Sequence, residues 1–290
     1  MKTGIAVVLA LLFFGGCTSM VFHPDREHYA TPKNYAVAYK SVTFRSGDGT
    51  RLVGWWMKPP EQRRGTIVAV HGNAQNMTAH FTNFLWLVKA GYEVFVFDYR
   101  GYGDSGGEAQ LRGAIDDTKA AIGYVLAHRG GNITVLGQSL GGVLLIDALA
   151  EIPADRIALA VIDSAFASLP EAGKDVLARS AFTWPFQWLA YLLLDGRYDA
   201  VDRVGALHVR KLYLAGSNDR TVDPNQSWRL FDASAKPRAF WLVQGAGHTQ
   251  AFASRVVRRK LLAFLEAPDF SDDFSTMLIF DKITFKKGKR

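Results

Sequence analysis

From Tyr39 to Leu265 short apolar runs alternate with helix-like stretches, and turns separate them. No repeat or low-complexity segment interrupts the series, which restricts the chain to an α/β sheet protein. Lys40–Arg45 and Leu52–Met57, joined through Gly47-Asp48-Gly49, read as an opening antiparallel hairpin. Thr66–Val70, Glu93–Phe97, Asn132–Leu136, Ile157–Ile162, Lys211–Ala215 and Arg238–Val243 read as buried strands, about eight strands in all. Thr78–Ala90, Leu111–His128, Gly142–Ala150 and Ala251–Leu265 have helical spacing. With 49% hydrophobic and 21% charged residues in 290, the chain can bury a full core, and disorder is excluded.

One junction in that series carries chemistry. Gly137-Gln138-Ser139-Leu140-Gly141 closes an apolar run and opens a helix, the setting in which a serine hydroxyl is presented on a strained strand-to-helix turn. An unassisted serine is a poor nucleophile at neutral pH, so it needs a base, and the base needs a group to orient it. His248, in Gln244-Gly245-Ala246-Gly247-His248, follows the last buried strand. Asp219 follows the strand before that. Loops at the carboxyl ends of parallel strands gather along one edge, so Ser139, Asp219 and His248 can meet as nucleophile, orienting acid and base. Asp223 and Asp163 also follow strands and stay open as alternatives for the acid, although Asp223, just before Pro224, is suited to capping the next helix. His71 ends a strand as well and is expected to be structural. A base must be neutral to accept the serine proton, so turnover is expected to rise with pH through the ordinary imidazole range.

A developing oxyanion needs donors. The amide of Leu140, at the helix start, and that of Asn73 in His71-Gly72-Asn73-Ala74 are the candidates, with Ala74 as the alternative to Asn73. Gly101-Tyr102-Gly103-Asp104-Ser105-Gly106 matches a dinucleotide fingerprint, but its strand does not open a βαβ unit and no acidic residue follows at the required distance, so a nucleotide site is not expected. No His or Cys pair has metal-ligand spacing; neither a metal nor another cofactor is expected. The formal charge of +7 includes the terminal run Lys286–Arg290, a solvated tail, and no aromatic-interleaved basic stripe supports nucleic-acid binding.

The motifs H-G-N-A, D-Y-R-G-Y-G-D-S-G-G, G-Q-S-L-G-G, G-S-N-D-R-T-V-D-P and G-A-G-H together resemble those of the α/β-hydrolase superfamily, nearest its serine-aminopeptidase-like branch of esterases, lipases and thioesterases. The resemblance spans about residues 39–265. It implies an α/β-hydrolase fold, a mostly parallel sheet flanked by helices with a small helical cap after the sixth strand, and acyl transfer to water with the acyl group left open. The cap would be about 164–209, where the alternation lapses and Phe166, Phe182, Trp184, Phe186, Trp188 and Tyr191 cluster; these rings either pack a surface helix pair or line an acyl pocket. A small ester, thioester or amide is the expected substrate class, with a serine esterase ahead of an aminopeptidase or amidase, and a non-catalytic envelope binding lipoprotein as the reading from another class.

At the amino terminus Lys2, the apolar run Ile5–Phe14 and Gly15-Gly16-Cys17 have the zones of a secretory signal. Phe14-Gly15-Gly16-Cys17 resembles a bacterial lipobox, which implies cleavage after Gly16, lipidation of Cys17 and a membrane-anchored lipoprotein on the periplasmic side of the cell envelope. On this reading residues 1–16 are the signal, 17–38 a linker, 39–267 the hydrolase domain and 268–290 a tail.

Overall fold

The computed structural model describes residues 22–178, 180, 182–194, 196–266 and 277–279. The signal segment, Cys17 and most of the tail lie outside the described residues. Nine strands form one sheet: β1 (Tyr39–Arg45), β2 (Arg51–Met57), β3 (Gly65–Val70), β4 (Tyr92–Asp98), β5 (Ile133–Gln138), β6 (Ile157–Asp163), β7 (Lys211–Gly216), β8 (Arg238–Val243) and β9 (Met277–Ile279). Their spatial order is β9-β8-β7-β6-β5-β3-β4-β2-β1. Only β2 pairs antiparallel, with β1 and β4; every other pairing is parallel. Eight of these strands are the expected ones. The ninth comes from the tail, whose Met277–Ile279 pairs with Trp241–Val243 of β8.

The sheet separates two apolar layers, and alternation within a strand feeds both. In β4, Phe95 and Phe97 join the layer beneath α1 (Leu111–His128) and α2 (Leu140–Leu149), whereas Val94 and Val96 join the layer beneath Leu85–Lys89 and α6 (Arg255–Glu266). Helix α1 forms because Leu111, Ala114, Ile115, Ala121, Ile122 and Val125 fall on one face, and it ends where Arg129 turns extended. Arg100, just after β4, clamps that helix: its backbone N–H and Nε donate to Asp117 Oδ2 at 2.8 and 3.0 Å, and a terminal nitrogen donates to Oδ1 at 2.7 Å. The guanidinium lies where a Cβ on Gly113 would be, which accounts for a glycine inside the helix.

Two expectations change. The helix expected over Thr78–Ala90 is three pieces, Met77–His80, a 3₁₀ turn Phe81–Phe84, and Leu85–Lys89. Three-residue periodicity stacks Phe81 above Phe84, and both are buried. The segment expected as a linker is, from Phe22 on, packed onto the domain: His23–Pro24 pairs with Ala74–Gln75, and Asn76 Nδ2 donates to Asp25 Oδ1 at 2.6 Å and to the Glu27 carbonyl at 2.8 Å.

Between β6 and β7 lies the helical cap, built on α3 (Leu169–Ala178) and α4 (Leu189–Leu193). After β7, α5 (Pro224–Ala233) begins at Asp223, whose carboxylate accepts from Asn225 N at 2.8 Å as an N-cap.

Candidate active site

The chain passes from β3 to β4 on one side and then returns to lay β5 on the other side of β3. Such a switch point opens a crevice at the carboxyl ends of β3 and β5. The 71–76 turn leaves one strand there and Ser139 leaves the other. Ser139 has φ 54° and ψ −122°, a left-handed conformation costly for a side-chain-bearing residue. Holding it requires close backbone contact two residues on, where a Cβ at Gly141 would run into the carbonyls of Val70 and His71. The amide of Ser139 donates to the Asp163 carbonyl at 2.8 Å, tying the turn to β6.

The Ser139 hydroxyl donates to His248 Nε2 at 2.9 Å. His248 Nδ1–H donates to Asp219 Oδ2 at 2.8 Å, and Asp219 Oδ1 accepts from the amides of Thr221 and Val222 at 2.8 and 2.9 Å. The Asp219 side chain is buried while that of His248 stays partly open to the cleft. A carboxylate so held keeps the ring proton on Nδ1 and leaves Nε2 to accept. Three residues separated by 80 and 29 positions thus form one hydrogen-bonded line, supplied by the ends of β5, β7 and β8.

The rival acids have other partners. Asp223 caps α5. Asp163 is fully buried; burial pushes its carboxyl up to about 6, against hydrogen bonds from Gln138 Nε2 at 2.9 Å and Ser164 Oγ at 3.1 Å. Ser164 Oγ in turn accepts from Thr249 N at 3.1 Å, so Asp163 braces the loop that carries His248.

Asn73 and Leu140 both border the cleft beside Ser139. Leu140 opens α2, so its N–H has no partner within that helix. Asn73 is steadied by its side chain, whose Oδ1 accepts from Tyr102 OH at 2.9 Å and from His23 N at 3.1 Å. The glycine-rich 101–106 stretch is thereby a structural turn facing this loop, with Gly103 N bonded to the Asp25 carbonyl at 2.9 Å. His71 is buried between Tyr99 and His80, ring centroids 4.4 and 5.1 Å away, and its Nδ1 lies 2.7 Å from the Gly72 carbonyl.

One residue of this site was passed over in the sequence. His80 Nε2 bonds the Ala74 carbonyl at 2.7 Å, pinning the far end of the 71–74 turn. Burial first, and then the neighbouring His71, push its imidazole down to about 4, so it is a neutral donor at physiological pH. Its only sequence signal is its place six residues after the H-G-N-A turn.

The cleft beyond Ser139 encloses about 640 Å³ and is walled by aliphatic cap residues, among them Leu169, Val176, Leu177, Leu189, Leu193 and Leu194. Of the cap aromatics expected as packing or pocket residues, only Phe166 reaches it; Phe182, Trp184, Phe186, Trp188 and Tyr191 are exposed. For Tyr191 the reason is spacing on α4, where Leu189, Ala190 and Leu193 turn inward and Tyr191 and Leu192 outward; the other four precede that helix.

The comparisons agree with this architecture. The family model for serine aminopeptidase, S33, matches residues 61–189. The uncharacterised protein YfhR of Escherichia coli (strain K12) is 30% identical over 256 residues, covering 84% of this chain and 85% of that protein. The Pyrococcus furiosus esterase Pf2001 superposes with a TM-score of 0.70 at 23% identity, over 84% of this chain and 96% of that one. An acetyl xylan esterase from Paenibacillus sp. R4 gives a TM-score of 0.63 at 19% identity, over 79% and 84%.

Proposed function

The chain belongs to the α/β-hydrolase superfamily, and from that premise we propose that it is a serine hydrolase that cleaves a carboxylic ester or thioester through an acyl-Ser139 intermediate. The observation that carries the reading is the line Ser139 Oγ–His248 Nε2–His248 Nδ1–Asp219 Oδ2, at 2.9 and 2.8 Å, opening on an aliphatic cleft.

On this reading Ser139 Oγ attacks the acyl carbon as its proton passes to His248 Nε2, and the amides of Asn73 and Leu140 hold the oxyanion. The bond to the leaving oxygen or sulfur breaks, and Nε2 returns the proton to that atom. Water then attacks the acyl-serine with His248 as base again, releasing the acid. Asp219 stabilises the imidazolium formed in both halves. An aminopeptidase has to hold a free α-ammonium, and among the described residues that line the cleft there is no carboxylate to do so. The cleft therefore favours an acyl chain over a peptide amino terminus.

A fluorophosphonate probe tests the nucleophile. Wild type should label at one site, and Ser139→Ala should neither label nor turn over soluble acyl esters, a loss of about 10⁴-fold or more. Labelling of the alanine variant equal to wild type would overturn the assignment. We further propose that the protein is an envelope lipoprotein anchored through Cys17, supported by the lipobox-like Phe14–Cys17; intact-mass analysis of membrane fractions should find Met1 absent and Cys17 lipidated.

A further inference from the structure

We propose that the outer face of the cap seats the mouth of the cleft on a phospholipid bilayer, so that the acyl chain enters from the lipid phase. The supply of substrate from the bilayer rests on the hydrolase reading; the docking itself does not. Phe182, Trp184 and Trp188 expose 91%, 61% and 60% of their surface, and Phe186, Tyr191 and Leu192 are at least half exposed. All six lie in the short stretch between α3 and the end of α4, with Val176 of α3 exposed beside them, whereas the other exposed large apolar residues among those described, Tyr29, Tyr35 and Trp228, lie elsewhere in the chain. A soluble surface gains nothing from a tryptophan-rich cluster of this kind, but the headgroup region of a bilayer accommodates such rings, with apolar body inward and polar edge toward water.

Two features select a bilayer as the occupant. The patch is continuous with the cleft: Val176 lines it and is itself over half exposed, and α4 turns Leu189 and Leu193 to the cleft while Tyr191 and Leu192 face out. The chain also enters the fold at this mouth. His23 borders the cleft and its amide bonds Asn73, and the residues before it include the wholly apolar run Ile5–Phe14 and Cys17. Four residues separate Cys17 from Phe22, five chain steps with a reach of about 18 Å at full extension, so lipid held near Cys17 is kept beside the cleft rather than at the far end of the sheet. The formal charge of +7, or +6 once Lys2 leaves with the signal, favours an anionic bilayer.

The test uses the full chain with vesicles of phosphatidylethanolamine and phosphatidylglycerol, a long-chain acyl ester dispersed in them, and a short soluble ester measured separately. Brominated acyl chains report lipid contact by quenching tryptophan fluorescence. Wild type should be quenched, and Trp184→Phe/Trp188→Phe should lose most of that quenching. Phe182→Ser/Trp184→Ser/Trp188→Ser should keep its rate on the soluble ester and lose at least about tenfold on the vesicle ester. Unchanged vesicle turnover in this variant, or no quenching in wild type, overturns docking. So does a vesicle-free dimer that the same variant makes monomeric, since the patch would then hold a second copy. Quenching in a wild type that hydrolyses neither ester supports docking and removes the hydrolase reading instead.

Discussion

Both oxygens of Asp219 are engaged, one by the imidazole and one by two backbone amides, so in the proposed mechanism the residue is a fixed orienting charge rather than a mobile one. Asp219→Asn preserves the shape but offers an amide nitrogen or a neutral oxygen to Nδ1, which frees the ring to take the wrong tautomer. Turnover should fall by about 10⁴-fold while the fold and the ester KM change little, as steady-state kinetics would show. Asp147 illustrates the opposite environment. It is fully buried on α2, neither oxygen accepts a hydrogen bond from a described residue, and Arg203 Nε stands 3.4 Å away. Burial pushes its carboxyl up to about 7 against the pull of Arg203. Between about pH 4 and 7 the native state therefore holds a proton that the unfolded chain has released, so stability falls as pH rises through that window. Asp147→Asn should remove that slope, leaving the variant level with or below wild type at pH 4 and above it at pH 8, by up to about 4 kcal/mol in urea unfolding.

At the scale of elements, the ion pair of Arg100 with Asp117 decides where α1 sits. Asp117 accepts three hydrogen bonds from one arginine, and α1 carries Ala114 and Ile115 into the same apolar layer as α2. Asp117→Ala would leave a buried guanidinium short of its main partner, with Asp48 at 2.8 Å and Ser46 Oγ at 3.2 Å as the residual ones. The expected cost is about 3–5 kcal/mol, read as a lower urea midpoint at unchanged slope. Most elements were legible because their periodicity is strong: α1 and the buried strands fall where the apolar spacing puts them. The broken helix after β3 was not, because Phe81 and Phe84 fit an α-helical pattern as well as a 3₁₀ one and only the sheet beneath selects between them. β9 was missed for a related reason. Met277–Ile279 is only three residues long, too short for a periodicity to show, and its pairing partner is the distant β8.

For the molecule as a whole, the cap turns a shared sheet edge into a selective cleft. Ala190 is buried on α4 and faces that space, so Ala190→Phe should fill it without touching Ser139. Rates on long-chain esters such as dodecanoyl should fall about tenfold or more relative to butanoyl, and an unchanged chain-length profile would show that the acyl chain runs elsewhere. The amino-acid sequence by itself determined the fold class, the turn at Ser139 and the order Ser139, Asp219, His248, because each of these rests on local spacing or on a short motif at a strand end. What lies between those motifs was left to the tertiary structure. It placed Asp219 rather than Asp163 or Asp223 against the imidazole, and it brought His23, His80 and Tyr102 to brace the 71–74 turn. It also turned all of the cap aromatics but Phe166 outward. Each of those outcomes depends on contacts between residues far apart in the chain, where periodicity says which side of an element is apolar but not what that side meets.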